Sequence, residues 1–242
     1  MFLIFSKKRI ILICFCIILS ICIIIGVGFH SYSNNNNQNI IPKIILPANK
    51  KTIVIDPGHG LPDGGASTAD GVLESDINLK IALKLQKLLE QSGAIVILTR
   101  NDENGISGLK NASIREKHRT DLKNRVRIGN ESSADMFISI HLNKIPQSQY
   151  SGWQTFYKKD NEESKNLAQS LQNGLNQSIQ KENKREPAKI SGIYIVDNIK
   201  IPISIVECGF LSNPEEAKLL QTEEYQEKLA EGIYKRNIKL FT

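Results

Sequence analysis

Four side chains in this sequence carry chemistry that apolar packing does not need: His59, Glu74, His141 and Glu207. Three of them end short apolar runs. His59 stands in the turn after Thr52–Ile55, where Pro57 and Gly58 must stop a strand. His141 follows Met136–Ile140, and Glu207 follows Ile203–Val206. Glu74 opens a helix that comes after the first run. If the three runs are parallel strands, their carboxyl ends share one sheet edge, which is where open α/β sheets bind ligands. Two imidazoles and two carboxylates then converge on one crevice. Two His and one Glu with an open fourth position is the usual ligand logic of catalytic zinc, and nitrogen and carboxylate donors suit that ion. The remaining carboxylate is then free to act as a base. Taken singly, each residue has an ordinary explanation. A lone His is most often a surface or satisfied core residue, and a carboxylate at a helix N-terminus is favoured by the helix dipole. The spacing is long-range, and no local metal signature such as HExxH supports it.

The elements that must position these residues alternate. After strand Thr52–Ile55 comes a polar loop, Asp56–Leu73, rich in Gly, Pro and Asp. A helix follows, with Ser75 as its expected N-cap, Ile77, Ile81, Leu85 and Leu88 on one face, and Gly93 at its end. Ala94–Thr99 reads as a second strand, parallel to the first through a right-handed crossover. Asn101–Thr120 reads as a long loop, either a lid or a mobile segment, in which His118 lies on a charged, solvated face. Asp121–Ser133 reads as a helix with Leu122 and Val126 inward and Arg125 as a salt-bridge partner. Met136–Ile140 is the third strand, Gly152–Tyr157 an edge strand with Trp153 packed inward, and Glu162–Lys181 a helix. Ile193–Val196 and Ile203–Val206 read as strands, and Asn213 opens the first of two closing helices, the second being Glu223–Lys239. Strands alternating with helices indicate a single α/β domain with a largely parallel central sheet flanked by helices.

The 242 residues allow one such domain and an addition at its N-terminus. Residues 1–9 form a basic flank with Lys7, Lys8 and Arg9, expected to stay in the cytoplasm. Residues 10–29 are uninterruptedly apolar, and twenty helical residues at about 1.5 Å each span the roughly 30 Å of bilayer hydrocarbon. They read as a transmembrane anchor; as a signal segment they carry a poor cleavage site at Gly26-Val27-Gly28. Residues 30–50, Asn-rich and without apolar periodicity, are a linker. The catalytic domain is then 51–242, outside the membrane, or exported if the segment is cleaved. The net charge of +6 is spread along the chain, with no basic run interleaved with aromatics, so the pattern offers little for nucleic acid. It suits an anionic partner such as a membrane surface or a wall polymer. Outside the apolar segment there is one cysteine, Cys208, so the domain has no intramolecular disulfide and no CxxC site.

Four stretches together resemble a known family. IDPGHG at Ile55–Gly60, Glu74 followed by Asn78-Leu79, SIHLN at Ser139–Asn143 and VECGFLSNPEE at Val206–Glu216 are similar, in order, to the motifs of the zinc-dependent N-acetylmuramoyl-L-alanine amidases of the amidase-3 family. The short single-domain layout behind one anchor, with a charged insert near Leu109–Arg125, most resembles the germination-specific spore-cortex amidases of endospore formers. The resemblance implies Zn²⁺ held by His59, Glu74 and His141, with Glu207 as the catalytic carboxylate. It implies peptidoglycan as substrate, cleaved at the amide between N-acetylmuramic acid and L-alanine, in cortex maturation where muramic lactam forms, on the forespore or cortex side of the spore membranes. Val196-Asp197 stands where many members have Leu-Arg, which bears on how an anionic peptide is held. The residues also admit other readings: a different zinc hydrolase of wall peptides, a non-catalytic membrane-tethered wall-binding protein, a zinc site completed by an activating partner protein, or Cys208 as nucleophile. The last is disfavoured because neighbours on a strand point to opposite faces.

Overall fold

The computed structural model describes residues 51–237. The expected anchor at 10–29 and linker at 30–50 lie outside the described residues. Among the described residues, no helix is long and apolar enough to cross a membrane.

Six strands form one sheet: β1 (Thr52–Pro57), β2 (Ile95–Leu98), β3 (Met136–Asn143), β4 (Gln154–Lys158), β5 (Ala188–Ile190) and β6 (Ile203–Phe210). Their order is β2-β1-β3-β6-β4-β5. The first four in that order are parallel, as expected. β4 runs antiparallel to β6, and β5 lies parallel to β4. β4 is therefore not the edge strand that its alternation suggested, because the three-residue β5, too short to read from sequence, covers its outer side. Helices α1 (Glu74–Gln91), α2 (Ile114–Glu131), α3 (Glu162–Ile179), α4 (Tyr194–Asn198), α5 (Pro214–Leu220) and α6 (Glu223–Asn237) surround it.

Strand alternation sorts the side chains into two cores. Ile53, Ile55, Ile138, Ile140, Val206 and Cys208 pack on one face with Ile77, Ile81 and Leu85 of α1, Leu167, Leu171 and Leu175 of α3, and Leu229 of α6. Val54, Phe137, Ile203 and Ile205 pack on the other face with Ile195, Val196 and Ile199, and with Leu122 and Val126 of α2. His141 and Glu207 share the second parity, so Cys208 faces away from them, as expected.

Three local expectations are corrected. Helix α1 starts at Glu74, one residue before the expected cap, and Leu73 at the cap position makes no side-chain bond. The preceding loop does the capping: Glu74 N donates to Ala66 O at 2.8 Å and Ser75 N to Gly64 O at 3.1 Å. Helix α2 begins at Ile114, not Asp121, so the supposed lid is partly helix. Ser113 and Glu116 form a reciprocal capping box there, in a stretch too polar for its periodicity to show. Ile193–Val196 is not a strand. Tyr194–Asn198 is a short helix, with Gly192 at φ 80 and its N–H donating to Asp197 Oδ2 at 2.9 Å.

Candidate metal centre

Each of the four chemical side chains is delivered by a different element. Pro57 ends β1, and Gly58 N donates to Ile140 O at 2.9 Å, which turns the chain across the end of β3. His59 follows with φ 61. His141 lies within β3 instead of beyond it, because that strand runs on to Asn143. Glu207 likewise lies within β6, and the register pairs it directly with His141. Paired residues on adjacent strands point to the same face, so these two side chains are neighbours. Glu74 comes from the other layer, at the first turn of α1, and reaches across the strand ends.

Glu74 is buried, at 3% exposure. Its Oε1 lies 3.1 Å from His141 Nδ1 and 3.4 Å from His59 Nε2. The same oxygen accepts from Leu142 N at 3.0 Å, and Oε2 accepts from Ala66 N at 2.9 Å. Asn78, one turn along the helix, divides its Nδ2 between Glu74 Oε1 and Gly58 O, each at 3.3 Å. Burial pushes the Glu74 carboxyl up, but the two imidazoles outweigh it and hold it well below the usual carboxylate range. For His59, burial opposes the charged form. Hydrogen bonds to Asp63 and Glu74 prevail and lift it to about 10.

Asp63 fixes which nitrogen of His59 faces Glu74. Its Oδ2 lies 3.0 Å from His59 Nδ1 and 2.9 Å from His118 Nδ1. A carboxylate only accepts, so both nitrogens carry their protons toward it and Nε2 of His59 is left for the site. Its other oxygen accepts from Gly65 N at 3.1 Å. His118 is half-exposed, as the sequence suggested, and is not among the three residues whose donors gather. Its link to His59 through Asp63 was not legible, since 55 positions separate His118 from Asp63. A carboxylate four residues after His59 was the available signal for Asp63.

Two glycines leave room for these rings. A Cβ on Gly58 would lie 2.3 Å from Cε1 of His141, and one on Gly65 would lie 2.7 Å from both Glu74 Oε2 and His59 Cδ2. One donor atom from each of His59, Glu74 and His141 falls within 4.8 Å of the other two. Two ligands about 2.0–2.1 Å from one tetrahedral zinc lie about 3.3–3.4 Å apart. The separations of 3.1 and 3.4 Å from Glu74 Oε1 match that spacing, so the donor set fits such an ion.

Glu207 stands beside this group. Its Oε2 is buried with no hydrogen-bond partner, and burial pushes its carboxyl up to about 7. Cys208 is fully buried on the opposite face, and burial raises its thiol further from ionisation. That removes the cysteine alternative, because the thiolate is the nucleophile. Trp153 is buried too and donates to Asn176 Oδ1 at 2.7 Å, a packing role. A groove of about 340 Å³ opens over the site, lined by His59, His141, Asp63, His118 and Arg125 together with Ile193 and Tyr194. Asp197, part of the departure from Leu-Arg, accepts from Gly192 N at 2.9 Å within the turn before α4. Glu216 of the NPEE segment accepts from Gly152 N and Phe210 N, both at 2.7 Å, and so pins the end of β6.

The chain is similar to known proteins over the segment that carries these residues. Residues 53–236 match the family model described as N-acetylmuramoyl-L-alanine amidase, Amidase_3. The chain is 41% identical over 199 residues to the germination-specific N-acetylmuramoyl-L-alanine amidase of Bacillus subtilis, covering 81% of this chain and 82% of that protein. It is 30% identical to the N-acetylmuramoyl-L-alanine amidase LytC of the same organism, over 81% of this chain and 36% of that longer one. Among solved structures, the CwlD amidase from Clostridioides difficile, in complex with the GerS lipoprotein, superposes with a TM-score of 0.75 at 47% identity, covering 79% of this chain and 98% of that one.

Proposed function

The chain belongs to the Amidase_3 family and is an N-acetylmuramoyl-L-alanine amidase, and from that premise we propose that His59, Glu74 and His141 hold a Zn²⁺ ion while Glu207 carries protons. The observation behind this reading is the spacing of the three donor atoms around Glu74 Oε1. A zinc ion there supplies Lewis acidity toward a carbonyl oxygen and toward water. The protein does the rest. Asp63 holds the His59 ring through Nδ1, and Glu74 is held ionised by its two backbone N–H donors and the imidazoles. Glu207 takes a proton from the water that adds to the lactyl carbonyl carbon. As the C–N bond breaks, it passes that proton to the amine of L-alanine. Burial, which raises the Glu207 carboxyl, makes it a ready acceptor and donor of that proton. The groove lined by His118 and Tyr194 receives the substrate around the scissile amide.

The finer biology is part of the same proposal. The 41% identity to a germination-specific amidase supports spore-cortex maturation, with muramic lactam as the outcome. The apolar run at 10–29 behind Lys7, Lys8 and Arg9 supports an anchor, a linker at 30–50 and an extracytoplasmic catalytic domain at 51–242. The related amidase solved with a lipoprotein supports an activating partner of that kind.

The test separates the two carboxylates. Glu74→Ala should lose zinc and activity together. Glu207→Ala should keep zinc near one ion per chain, while turnover on muropeptides falls by on the order of 10²–10⁴. Glu207→Ala without zinc, beside Glu74→Ala with it, would show the roles reversed.

A further inference from the structure

The turn that carries His59 is gripped through its carbonyl oxygens. Pro57 O accepts from Arg125 Nη1 at 2.8 Å and from Arg100 Nε at 2.9 Å. Gly58 O accepts from Arg100 Nη2 at 2.9 Å. His59 O accepts from Arg125 Nη2 at 2.5 Å. Three successive carbonyls are thus bonded by two guanidinium groups, both nearly inaccessible at 1% and 3% exposure. Between them they hold a non-glycine residue at φ 61, a conformation that persists only where the surroundings over-determine it.

The same groups reach the other two ligand-bearing segments. Arg100 Nη2 donates to Ser75 O at 2.8 Å, next to Glu74. Arg125 Nη1 lies 2.6 Å from Asp56 Oδ1, and Arg125 Nε donates to Asp121 Oδ2. Asp56 in turn accepts from Thr99 Oγ1 at 2.6 Å and from Ser139 Oγ at 2.7 Å, on the strand that carries His141. One buried network therefore ties the His59 turn, the start of α1 and β3 together. An ion pair with Asp56 would need a single N–H. Arg125 spends its whole fork, and only a planar guanidinium presents N–H groups in these fixed directions at once.

We propose that Arg125, with Arg100 beside it, is a positioning residue for metal uptake: its grip on the Pro57 and His59 carbonyls sets the direction in which His59 Nε2 meets Glu74. This rests on the reading that His59, Glu74 and His141 hold the metal. Arg125 lines the groove, but its guanidinium is engaged with Asp56, Asp121 and the two carbonyls, so it acts on the metal through the segments it ties.

The test uses zinc affinity, read by competition with a chromophoric chelator on the full-length chain, with circular dichroism as the check on folding. Arg125→Lys keeps the charge beside Asp56 and loses the fork. It should weaken zinc by about 10–100-fold, the usual effect of removing a group that orients a ligand. Leu229→Ala, a core truncation on α6, serves as the stability control. It should lower Tm while zinc affinity stays within about twofold, because Leu229 is a core residue that none of the hydrogen bonds of the site involves. A folded Arg125→Lys protein with wild-type zinc affinity overturns the proposal, as does a Leu229→Ala protein that loses zinc in step with its Tm. If Arg125→Lys does not fold, Asp121→Asn decides, since it loosens the hold on Arg125 Nε: weaker zinc supports the proposal and unchanged zinc overturns it. Wild type and His59→Ala are titrated alongside. His59→Ala with the full affinity of wild type removes the metal reading itself and this inference with it.

Discussion

Gly58→Ala should push His141 out of the metal site while leaving the fold intact. The added Cβ would lie 2.3, 2.4 and 2.7 Å from Cε1, Nε2 and Nδ1 of the His141 ring. Restoring ordinary van der Waals contact requires the ring to retreat by about 1 Å. Metal sites tolerate ligand displacements of about 0.2 Å. The ring has little freedom to compensate, because Glu74 Oε1 is 3.1 Å from its Nδ1 and the His59 ring packs edge-on with centroids 5.1 Å apart. The backbone does not resist the change, since Gly58 has no positive φ. Stiffening the unfolded chain contributes about 0.4–1 kcal/mol toward stability, which offsets part of the clash. The expected result is a folded protein whose zinc affinity and turnover each fall by at least about tenfold. Elemental analysis of the purified chain and muropeptide digestion read the two quantities. Full zinc content with wild-type turnover would mean that the His141 ring does not pack on Gly58 in the working enzyme, and the ligand assignment would fall with it.

Two further outcomes follow from the charges and burial. Cys208→Ala should keep turnover, and iodoacetamide should leave the native enzyme active, because Cys208 is buried on the face away from Glu207; inactivation of wild type but not of the variant would restore the cysteine as a participant. For Asp56, burial raises the carboxyl, but Arg125, Thr99 and Ser139 outweigh it and hold it below the ordinary 3.8. A depressed carboxylate contributes stability that is complete above its unfolded value and is lost as pH falls through its folded one. Asp56→Asn should therefore melt below wild type at pH 7, and the gap should narrow only below about pH 4; a gap in Tm that stays constant down to pH 2.5 would refute the buried ion pair.

The parts of this protein that its sequence determined by itself are those set by local pattern. Short continuous apolar runs closed by breakers, and helical faces such as Ile77–Ile81–Leu85, identify themselves because burial imposes a local pattern on neighbouring residues. The runs before His59, His141 and Glu207 could be placed as strands for that reason, and parallel strands bring their ends together whatever the rest does. Pattern failed where the stabilising partner is distant. Ser75 has the chemistry of a cap, yet its Oγ is buried without a partner, because the Gly64–Ala66 loop already takes the helix N–H groups. Ile193–Val196 has the composition of a strand, but Ile195 and Ile199, one helical turn apart, both have an apolar layer to fill.

The site divides along the same line. His59 and Glu74 were legible as donors, and their orientation was not. Which nitrogen of His59 faces inward depends on Asp63, and the turn that presents the ring depends on Arg125, 66 positions away. Such contacts leave no periodic trace, since each requires one side chain at one point in space and nothing of its neighbours in sequence. Strand alternation already turned Cys208 away from Glu207; tertiary structure alone decided that Glu207 and His141 stand side by side, because the register between β3 and β6 pairs them and a slip of one residue would have sent them to opposite faces.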